Sequence, residues 1–456
     1  MKKRVIAMNH LSRNILTLIT IIAGISGYIS GCSGKNTSKQ INPSISDTSK
    51  GSDTTKNNDT SNNNDTGKKD SEVLDSATNS GDTMDTEMID TNKNDSASQD
   101  TGSDSQPAGK TIWAAKVLEL PDNNEIVQMV KEWKNLKITD AFAKDDLFAK
   151  EVFRNEINKT DIKSWLIAQV FFWDNNNLYT DHKEDMSILE NGKVAKPEIK
   201  QGWEDWYNWL EMASPSNSSY KKRTIDRIVS QVKEFNPDGL SLDFIRYFVF
   251  WELTAPGTDP ASIPDACFSK ESISDFKSYA GITIPDFNTT QELADFIHKN
   301  YQQKWTQFKC AQITKMITDI ISAVKQIKPD ISINVHIVPW RGSDFNNGLK
   351  RIAGQDIAAI SQIVDMLSPM TYAKMTGNSA TWINRVTADI AAHRKKNIPV
   401  VPAIAAEPMY NTGEISDEEF EQYVINALKA PSAGITFWPW EAITQSQKEI
   451  IKKYIP

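Results

Sequence analysis

The sequence predicts an α/β protein: a (β/α)8 TIM barrel over residues 110–456, preceded by a signal peptide over residues 1–32 and a long disordered linker over residues 33–109. Two observations predict the barrel. Short apolar runs alternate with amphipathic helical runs after residue 110, as in a parallel sheet covered by helices. Eight such units fit in this region, since a barrel needs about 250 residues. A doubly wound sheet is disfavoured because no Gly-rich phosphate-binding turn follows an early strand.

The first residues have the pattern of an export signal. Lys2, Lys3 and Arg4 precede an apolar run over residues 15–29, and two small residues then precede Cys32. This order predicts a lipoprotein signal peptide in which Cys32 is acylated, by palmitate among other chains, and the chain is cut just before it. An ordinary signal peptide or an anchoring helix is disfavoured because the run is shorter than the ~20 residues of a membrane span. We expect a lipid-anchored protein of the cell envelope, exported to the cell surface or the outer membrane.

The segment over residues 33–109 contains no Phe, Tyr or Trp and consists mostly of Ser, Thr, Asn, Asp, Gly and Lys. Such a composition cannot bury enough apolar surface to offset the lost chain entropy, so the segment is predicted to be disordered. Its ends would lie on the order of 50 Å apart by flexible-coil scaling. A spacer role is favoured over a binding role.

Apolar runs and amphipathic runs place the elements of the barrel in order. The eight predicted strands cover residues 111–117, 138–143, 165–173, 238–244, 331–338, 364–370, 399–405 and 434–438. The most evident helices cover residues 123–134, 217–235, 290–327, 379–396, 416–429 and 445–454.

Composition excludes several classes of partner. A net charge of -8 and a pI near 5.4, without an extended basic run after the first residues, argue against nucleic acid. The three cysteines, Cys32, Cys267 and Cys310, match neither a zinc site nor a disulfide scaffold. Cys267 and Cys310 could pair in an oxidising compartment, or remain two buried free thiols. We expect a monomer with no cofactor and no metal.

Two predicted strands end in carboxylates, and the C-terminal ends of barrel strands carry the reactive groups of this fold. The fourth run ends in Asp243, followed by Arg246, and the seventh delivers Glu407. Glycosidic cleavage needs one carboxyl group to protonate the leaving oxygen and a second to attack carbon or activate water. Asp243 and Glu407 are the predicted catalytic pair. The alternatives are a buried ion pair of Asp243 with Arg246 and a solvated loop acid at Glu407.

Aromatic residues concentrate where the strands end, and sugars stack their C–H faces on such rings. All 13 tryptophans follow residue 112. Core packing remains the commoner role of any single tryptophan. Polar and aromatic positions at the strand ends are the predicted substrate-binding residues: Trp173, Asp174, Arg246, Tyr247, His336, Trp340, Tyr372, Trp438 and Trp440.

Several blocks of sequence resemble one family of proteins. Residues 209–217, 238–247, 354–356 and 364–372 are similar to glycoside hydrolases of the glycoside-hydrolase-like TIM-barrel group, which includes bacterial lipoproteins. The blocks span most of residues 165–440. The resemblance implies a (β/α)8 barrel and a catalytic acid after the fourth strand, which corresponds to Asp243.

The chain departs from related patterns at three positions. Phe248 stands where members of the group usually have proline, so the loop after the fourth strand is expected to differ. Ser241 and Ile245 replace two acids of the family 18 chitinase pattern. An acetamido-assisted chitinase mechanism is therefore not expected.

The sequence is consistent with three functions. A glycoside hydrolase acting on an extracellular or cell-envelope polysaccharide explains the carboxylates, the aromatics and the tether together. The alternative is a catalytically silent polysaccharide-binding barrel, in which the second carboxylate is misplaced. A metal-dependent hydrolase is disfavoured because, of five histidines, only His336 ends a predicted strand.

Overall fold

The computed structural model describes residues 111–172, 182–196, 210–411 and 413–456. Four predictions concern other parts of the chain and lie outside the described residues: the signal peptide with lipidation of Cys32, the linker, Trp173 and Asp174.

Eight parallel strands form the sheet, as the sequence predicts, in the order β6-β5-β4-β3-β2-β1-β8-β7. Isolated parallel bridges from Leu367 to Val400 and from Met370 to Ala403 join β6 to the β7 segment and close the barrel. The strands are β1 (Ile112–Lys116), β2 (Asp140–Ala143), β3 (Lys163–Gln169), β4 (Gly239–Asp243), β5 (Ser332–Ile337), β6 (Met366–Pro369), β7 (Ala403–Ala405) and β8 (Gly434–Trp438).

The seventh strand is shorter than predicted, because two prolines lie in its first half. The predicted strand began at Pro399, whereas β7 begins after Pro402. Proline has no N–H and cannot donate to a sheet ladder. The carbonyl oxygens of both prolines still accept backbone hydrogen bonds from neighbouring strands, at 3.0 Å and 2.9 Å. The segment therefore completes the barrel wall without a regular ladder.

Helices follow the strands and cover the outside of the sheet, and the six predicted helices are all present. Residues 338–347 and 244–269 form the longer loops above the barrel. The helices are α1 (Asn123–Asn135), α2 (Asp145–Ala149), α3 (Glu151–Ile157), α4 (Ser218–Phe235), α5 (Lys270–Ala280), α6 (Thr290–Lys325), α7 (Gly348–Arg351), α8 (Ile357–Ile363), α9 (Ala380–His393), α10 (Asp417–Leu428) and α11 (Gln445–Tyr454).

Side-chain caps determine where several helices begin. Asp122 and Glu125 form a capping box at the start of α1, and Thr289 forms one with Glu292 at the start of α6. Each box satisfies backbone N–H groups that the first turn leaves without partners. None of the described helices is long and apolar enough to cross a membrane.

A layer of large side chains fills the barrel interior below its mouth. Trp165 stacks on Phe142 with ring centroids 5.3 Å apart, and its indole N–H donates to Asp140 at 2.7 Å. Gly239 is required beside it, because a Cβ at this position would lie 2.2 Å from the Trp165 ring. This floor leaves the space at the C-terminal ends of the strands for polar groups.

Of the two alternatives for Cys267 and Cys310, the structure has the pair of free, buried thiols. The Cys267 sulfur accepts from the backbone N–H of Ile188 at 3.3 Å. The Cys310 sulfur lies 3.7 Å from the carbonyl oxygen of Lys350. Each thiol therefore packs against a different part of the fold.

Candidate active site

A buried ion pair crosses the barrel mouth between its first and fourth strands. Lys116 is the last residue of β1 and Asp243 is the last residue of β4. The Lys116 ammonium lies 3.2 Å from Asp243 Oδ2, and the two side chains are only 8% and 11% exposed. Such a pair places one negative and one positive charge at the point where this fold carries its chemistry.

The ion pair keeps Asp243 ionised. Burial alone would raise the pKa of this carboxyl, but the adjacent Lys116 ammonium and the backbone N–H of Phe244 outweigh burial and lower the pKa well below its usual value. The Phe244 N–H donates to Asp243 Oδ1 at 2.9 Å. Hydrogen bonds and a nearby cation both stabilise the charged form. Asp243 is therefore a carboxylate across the physiological pH range.

A chain of polar side chains supports the ion pair from inside the barrel. His336 Nε2 lies 3.4 Å from the Lys116 ammonium and 3.0 Å from the Ser241 hydroxyl. The Asn334 amide donates to Ser241 at 2.9 Å, and the Ser368 hydroxyl donates to Asn334 at 3.0 Å. The chain joins β4, β5 and β6, so it fixes the side chains around Asp243.

His336 is the neutral member of this cluster. Burial, followed by the charge of Lys116, lowers its pKa to about 3. A neutral imidazole leaves one ring nitrogen as an acceptor. Nε2 is the nitrogen that faces the two donors, the Lys116 ammonium and the Ser241 hydroxyl. His336 therefore positions Lys116 and adds no charge of its own.

Arg246 holds the loop after β4 rather than pairing with Asp243. Its Nη1 donates to the carbonyl oxygen of Val249 at 2.6 Å and to the Met212 sulfur at 3.4 Å. The guanidinium carbon lies 5.3 Å from the centre of the Phe244 ring. The alternative interpretation of an Asp243–Arg246 ion pair is thus replaced by the pair with Lys116. Substrate binding by Arg246 stays a prediction.

A second buried carboxyl group, Glu252, lies on the loop after β4, in the 3-10 turn Trp251–Leu253. Burial raises its pKa to about 7, although the charge of Arg246 acts in the opposite direction. Its Oε2 is buried and has no hydrogen-bond partner among the described residues. The site therefore contains one carboxyl group whose pKa is lowered and one whose pKa is raised to about 7.

Three aromatic rings stand beside these carboxyl groups. Tyr372, after β6, stacks on Trp438 at the end of β8, with ring centroids 4.4 Å apart and planes at 18°. Trp251 also packs on Tyr372, with ring centroids 5.9 Å apart and planes at 39°. The Tyr372 hydroxyl is buried and has no partner in the described part of the chain. We call Trp251, Tyr372 and Trp438 the aromatic wall.

The Tyr372 hydroxyl lies near both carboxyl groups. Burial raises the pKa of Tyr372 well above its usual value, and the charges of Asp243 and Glu252 act in the same direction. The hydroxyl therefore stays protonated and remains a hydrogen-bond donor beside the two acids. The structure thus brings Asp243, His336, Tyr372 and Trp438 of the predicted residues to one mouth.

Other predicted site residues lie away from this cluster. Tyr247 is fully buried against α6, where the Lys309 ammonium lies 4.7 Å from its ring centre. Trp440 packs on Trp133 of α1 at 6.1 Å, and its indole N–H donates to Glu132 at 3.3 Å. Both positions lie in the layer between the barrel and its helices. Their contacts are those of packing residues.

Trp340 lines a different space from the mouth. It packs on Phe345 with ring centroids 4.8 Å apart. Together with Trp382 and Arg341 it lines a cavity of about 380 Å³ between the loops that follow β4, β5 and β6. Its predicted role in substrate binding stays a prediction.

Glu407 follows β7 by two residues and is half-buried. The strand places it at the barrel mouth, as the sequence predicts. Its catalytic role stays a prediction.

One group of three side chains has the composition of a metal site. His182, Glu184 and Asp185 place one ligand atom each within 4.8 Å of one another. Asp185, however, already accepts from the Asn217 amide at 2.9 Å and pairs with Arg223. The His182 and Glu184 side chains are 39% and 74% exposed. This group is a solvated loop cluster whose one buried acid is occupied by protein.

Sequence reasoning missed two residues of the site, Lys116 and Glu252. Lys116 had a signal, since it is the one charged residue in the apolar run over residues 112–117. A lysine inside a buried strand needs a counter-charge. Glu252 had none, because its burial depends on how the loop after β4 folds.

The closed parallel barrel with polar groups at the C-terminal ends of its strands defines the class of this protein as a (β/α)8 barrel. No family model and no curated protein matches the chain. Solved structures do match it, among them a glycoside hydrolase domain, a β-amylase and a β-galactosidase.

The glycoside hydrolase domain of PgaB (BpsB) from Bordetella bronchiseptica is similar over 76% of this chain and 99% of that domain, with a TM-score of 0.57 and 13% identity. The catalytic domain of the Paenibacillus polymyxa β-amylase is similar over 75% and 97%, with a TM-score of 0.50 and 12% identity. The β-galactosidase from Bacillus circulans sp. alkalophilus is similar over 72% of this chain and 50% of its own, with a TM-score of 0.50 and 10% identity. These likenesses establish the fold.

Proposed function

We propose that the barrel is a glycoside hydrolase that cleaves glycosidic bonds in an extracellular or cell-envelope polysaccharide by a two-carboxylate acid/base mechanism. One observation carries the proposal. Asp243 is a buried carboxylate at the C-terminal end of β4, and Lys116 holds it in the charged form.

A permanently ionised carboxylate suits one half of glycoside hydrolysis. The transition state develops positive charge at the anomeric carbon and its ring oxygen. A fixed negative charge in a water-poor site stabilises such a charge more than water does. Asp243 can supply it without reorganisation, because Lys116 and the Phe244 N–H already hold both carboxylate oxygens in place.

The aromatic wall suits the substrate. Sugars present flat C–H faces that stack on aromatic rings. The ring centroids of Trp438 and Tyr372 lie 4.4 Å apart at the mouth. The buried Tyr372 hydroxyl offers a hydrogen bond to a sugar hydroxyl. A buried polar group without a protein partner is costly unless a ligand or water satisfies it.

The comparisons support this class of reaction through the fold. The similar solved structures are named as a glycoside hydrolase domain, a β-amylase and a β-galactosidase. A shared barrel does not fix a reaction, and the carboxylate at the end of β4 is the feature of this chain that points to one.

The second carboxyl group in this proposal is expected at the C-terminal end of another strand. Glu407, two residues after β7, is the candidate that the sequence predicts. A hydrolytic pair lies about 5 to 10 Å apart, depending on whether the enzyme retains or inverts the anomeric configuration. Replacement of Glu407 by Gln tests this role directly.

The proposed location is the cell envelope. Acylation at Cys32 would anchor the protein to a membrane, and the segment over residues 33–109 would let the monomeric barrel reach polysaccharide beyond the surface. Labelling of cells with radioactive palmitate tests the anchor. We expect label in the wild-type chain and none in Cys32→Ser, and equal labelling of both would contradict it.

The experiment for the function measures new reducing ends released from a panel of bacterial and plant polysaccharides by the full chain in mild detergent. The variants are Asp243→Asn, Glu407→Gln and the control Asp226→Asn, which changes an exposed acid on α4. We expect cleavage by the wild type and the control and none by Asp243→Asn, which keeps its affinity for the polysaccharide. Binding without cleavage by the wild type across the panel, or undiminished cleavage by Asp243→Asn, would contradict the proposal.

A further inference from the structure

Building on the proposed glycosidase function, we propose that Glu252 is the catalytic residue that protonates the glycosidic oxygen, with Asp243 as its ionised partner. This assignment makes Glu252, in place of Glu407, the second carboxyl group of the pair with Asp243.

Glu252 lacks the contacts of a structural carboxyl group. Its Oε2 is buried and has no hydrogen-bond partner among the described residues. The nearest cation, Arg246, approaches Oε1 only to 3.9 Å, which is too far for a hydrogen bond. Arg246 instead donates to the carbonyl oxygen of Val249 at 2.6 Å. The Glu252 side chain is thus enclosed by the protein with one long ion pair at Oε1 and no hydrogen-bond partner for Oε2 among the described residues.

This environment keeps a proton on Glu252. Burial disfavours the charged form of Glu252 more than the charge of Arg246 and a backbone hydrogen bond to the carboxyl group favour it. The charged groups that act on Glu252 are Arg246 and Asp243, and the charges of both acids also act on the Tyr372 hydroxyl. Burial, with a smaller contribution from the negative charge of Asp243, outweighs Arg246 and the backbone hydrogen bond, and the pKa of Glu252 rises to about 7.

A neutral carboxylic acid has one O–H to donate, and this O–H needs an acceptor. The described residues supply none to Oε2. A glycosidic oxygen bound at the mouth would supply it. The same carboxyl group would then be satisfied only when a substrate is present.

Packing places Glu252 next to the aromatic wall. Its neighbour in the same 3-10 turn, Trp251, packs on Tyr372 at 5.9 Å, and Tyr372 stacks on Trp438 at 4.4 Å. The turn is therefore fixed to the aromatic wall. A sugar on this wall would lie between Asp243 on β4 and Glu252 on the loop that follows it.

The reaction balances with water as the co-substrate. The Glu252 proton passes to the glycosidic oxygen as the bond from this oxygen to the anomeric carbon breaks, so the leaving group departs as an alcohol. Asp243 faces the positive charge that develops at the anomeric carbon. Water then gives its hydroxyl to this carbon, and its proton restores the Glu252 carboxyl group.

Glu441 shows that a raised pKa alone does not identify the residue that protonates the glycosidic oxygen. Burial raises the pKa of Glu441 to about 7 as well. Its Oε1, however, accepts the backbone N–H groups of Leu118 and Glu119 at 2.9 Å and 2.5 Å. Glu441 fastens the loop after β1 to the turn after β8. It therefore serves as the matched control.

The test compares two leaving groups. The full chain, as wild type, Glu252→Gln, Glu441→Gln and Asp243→Asn, is assayed on the polysaccharide that the wild type cleaves and on the 2,4-dinitrophenyl glycoside of the released sugar. Dinitrophenolate departs without protonation. We expect Glu252→Gln to lose about 100-fold or more in kcat/KM on polysaccharide, which is the size of a general-acid effect, and less than about 10-fold on the dinitrophenyl substrate.

The controls separate the possible failures. Glu441→Gln should match the wild type on both substrates, and Asp243→Asn should lose activity on both. The decrease in wild-type polysaccharide activity above pH 7 should disappear in Glu252→Gln, since only the neutral acid donates. Equal losses of Glu252→Gln on both substrates, or no loss on either, would overturn the assignment while leaving the glycosidase function in place. A wild type that cleaves no polysaccharide of the panel, so that neither test substrate can be chosen, would refute the proposed function itself.

Discussion

Replacement of Lys116 by Met should destabilise the barrel because it leaves the Asp243 carboxylate buried without a cation. The two side chains are 8% and 11% exposed, so water replaces little of the lost interaction. Removing one partner of a buried pair costs about 3–5 kcal/mol in the free energy of unfolding. We expect a loss of this size at pH 7.

The loss should depend on pH with a defined sign. In the wild type the pKa of Asp243 is lowered, so its stabilising contribution is present above the unfolded value of about 3.9 and is lost as pH falls through the folded value. Without Lys116, burial dominates and raises the pKa of Asp243. In Lys116→Met the penalty should therefore be largest at neutral pH and should shrink as the pH falls and the carboxyl takes up a proton.

Urea unfolding at pH 4.5 and pH 7.5 measures both effects. The matched control is Lys222→Met, which breaks a pair with Asp226 of 2.6 Å on the surface of α4, where the side chains are 77% and 61% exposed. An exposed pair contributes about 0–1 kcal/mol. The double variant Lys116→Met/Asp243→Asn should recover most of the loss, since it removes the unpaired charge.

The reasoning would be refuted if Lys116→Met and Lys222→Met lowered the free energy of unfolding by the same amount. It would also be refuted if the double variant lost as much free energy of unfolding as Lys116→Met and Asp243→Asn added together. Either result would mean that the charge of Lys116 does not act on Asp243.

Three further predictions concern other parts of the fold. Tyr372→Phe should leave the free energy of unfolding unchanged or slightly higher, because the hydroxyl has no partner among the described residues, while kcat/KM on polysaccharide falls; a clear loss of stability in urea would contradict this. Iodoacetamide at pH 8 should modify neither Cys267 nor Cys310 until the protein unfolds, since both are buried and burial raises the pKa of Cys310 to about 12, and mass spectrometry would expose the error by detecting native-state labelling. Gly434→Ala should disrupt the pairing of β8 with β1, because the new Cβ would lie 2.1 Å from the carbonyl oxygen of Ile112; a melting temperature equal to that of the wild type would show that the backbone yields freely.

The barrel could be predicted because its signals are local. Apolar runs, helical periodicity and caps such as Thr289 with Glu292 depend only on neighbouring residues. Asp243 could be predicted for the same reason, since it ends an apolar run. The start of β7 was misplaced where Pro402 interrupts the ladder.

The contacts within the site could not be predicted, because they join residues that are far apart in the sequence. Lys116 and Asp243 are 127 positions apart, and their meeting follows from the closure of the sheet. Glu252 depends on the path of the loop after β4. Whether the two buried cysteines pair could not be decided from sequence either, because the answer depends on the fold, in which Cys267 packs beside Ile188 and Cys310 beside Lys350.

The most direct test of the account is a crystal structure of Asp243→Asn with an oligosaccharide from the polysaccharide that the wild type cleaves. The account predicts a sugar ring against Tyr372 and Trp438, with its anomeric carbon about 3–3.5 Å from the side chain at position 243. A sugar held instead in the cavity beside Trp340 and Trp382, with the barrel mouth empty, would contradict the claim that this mouth is the active site.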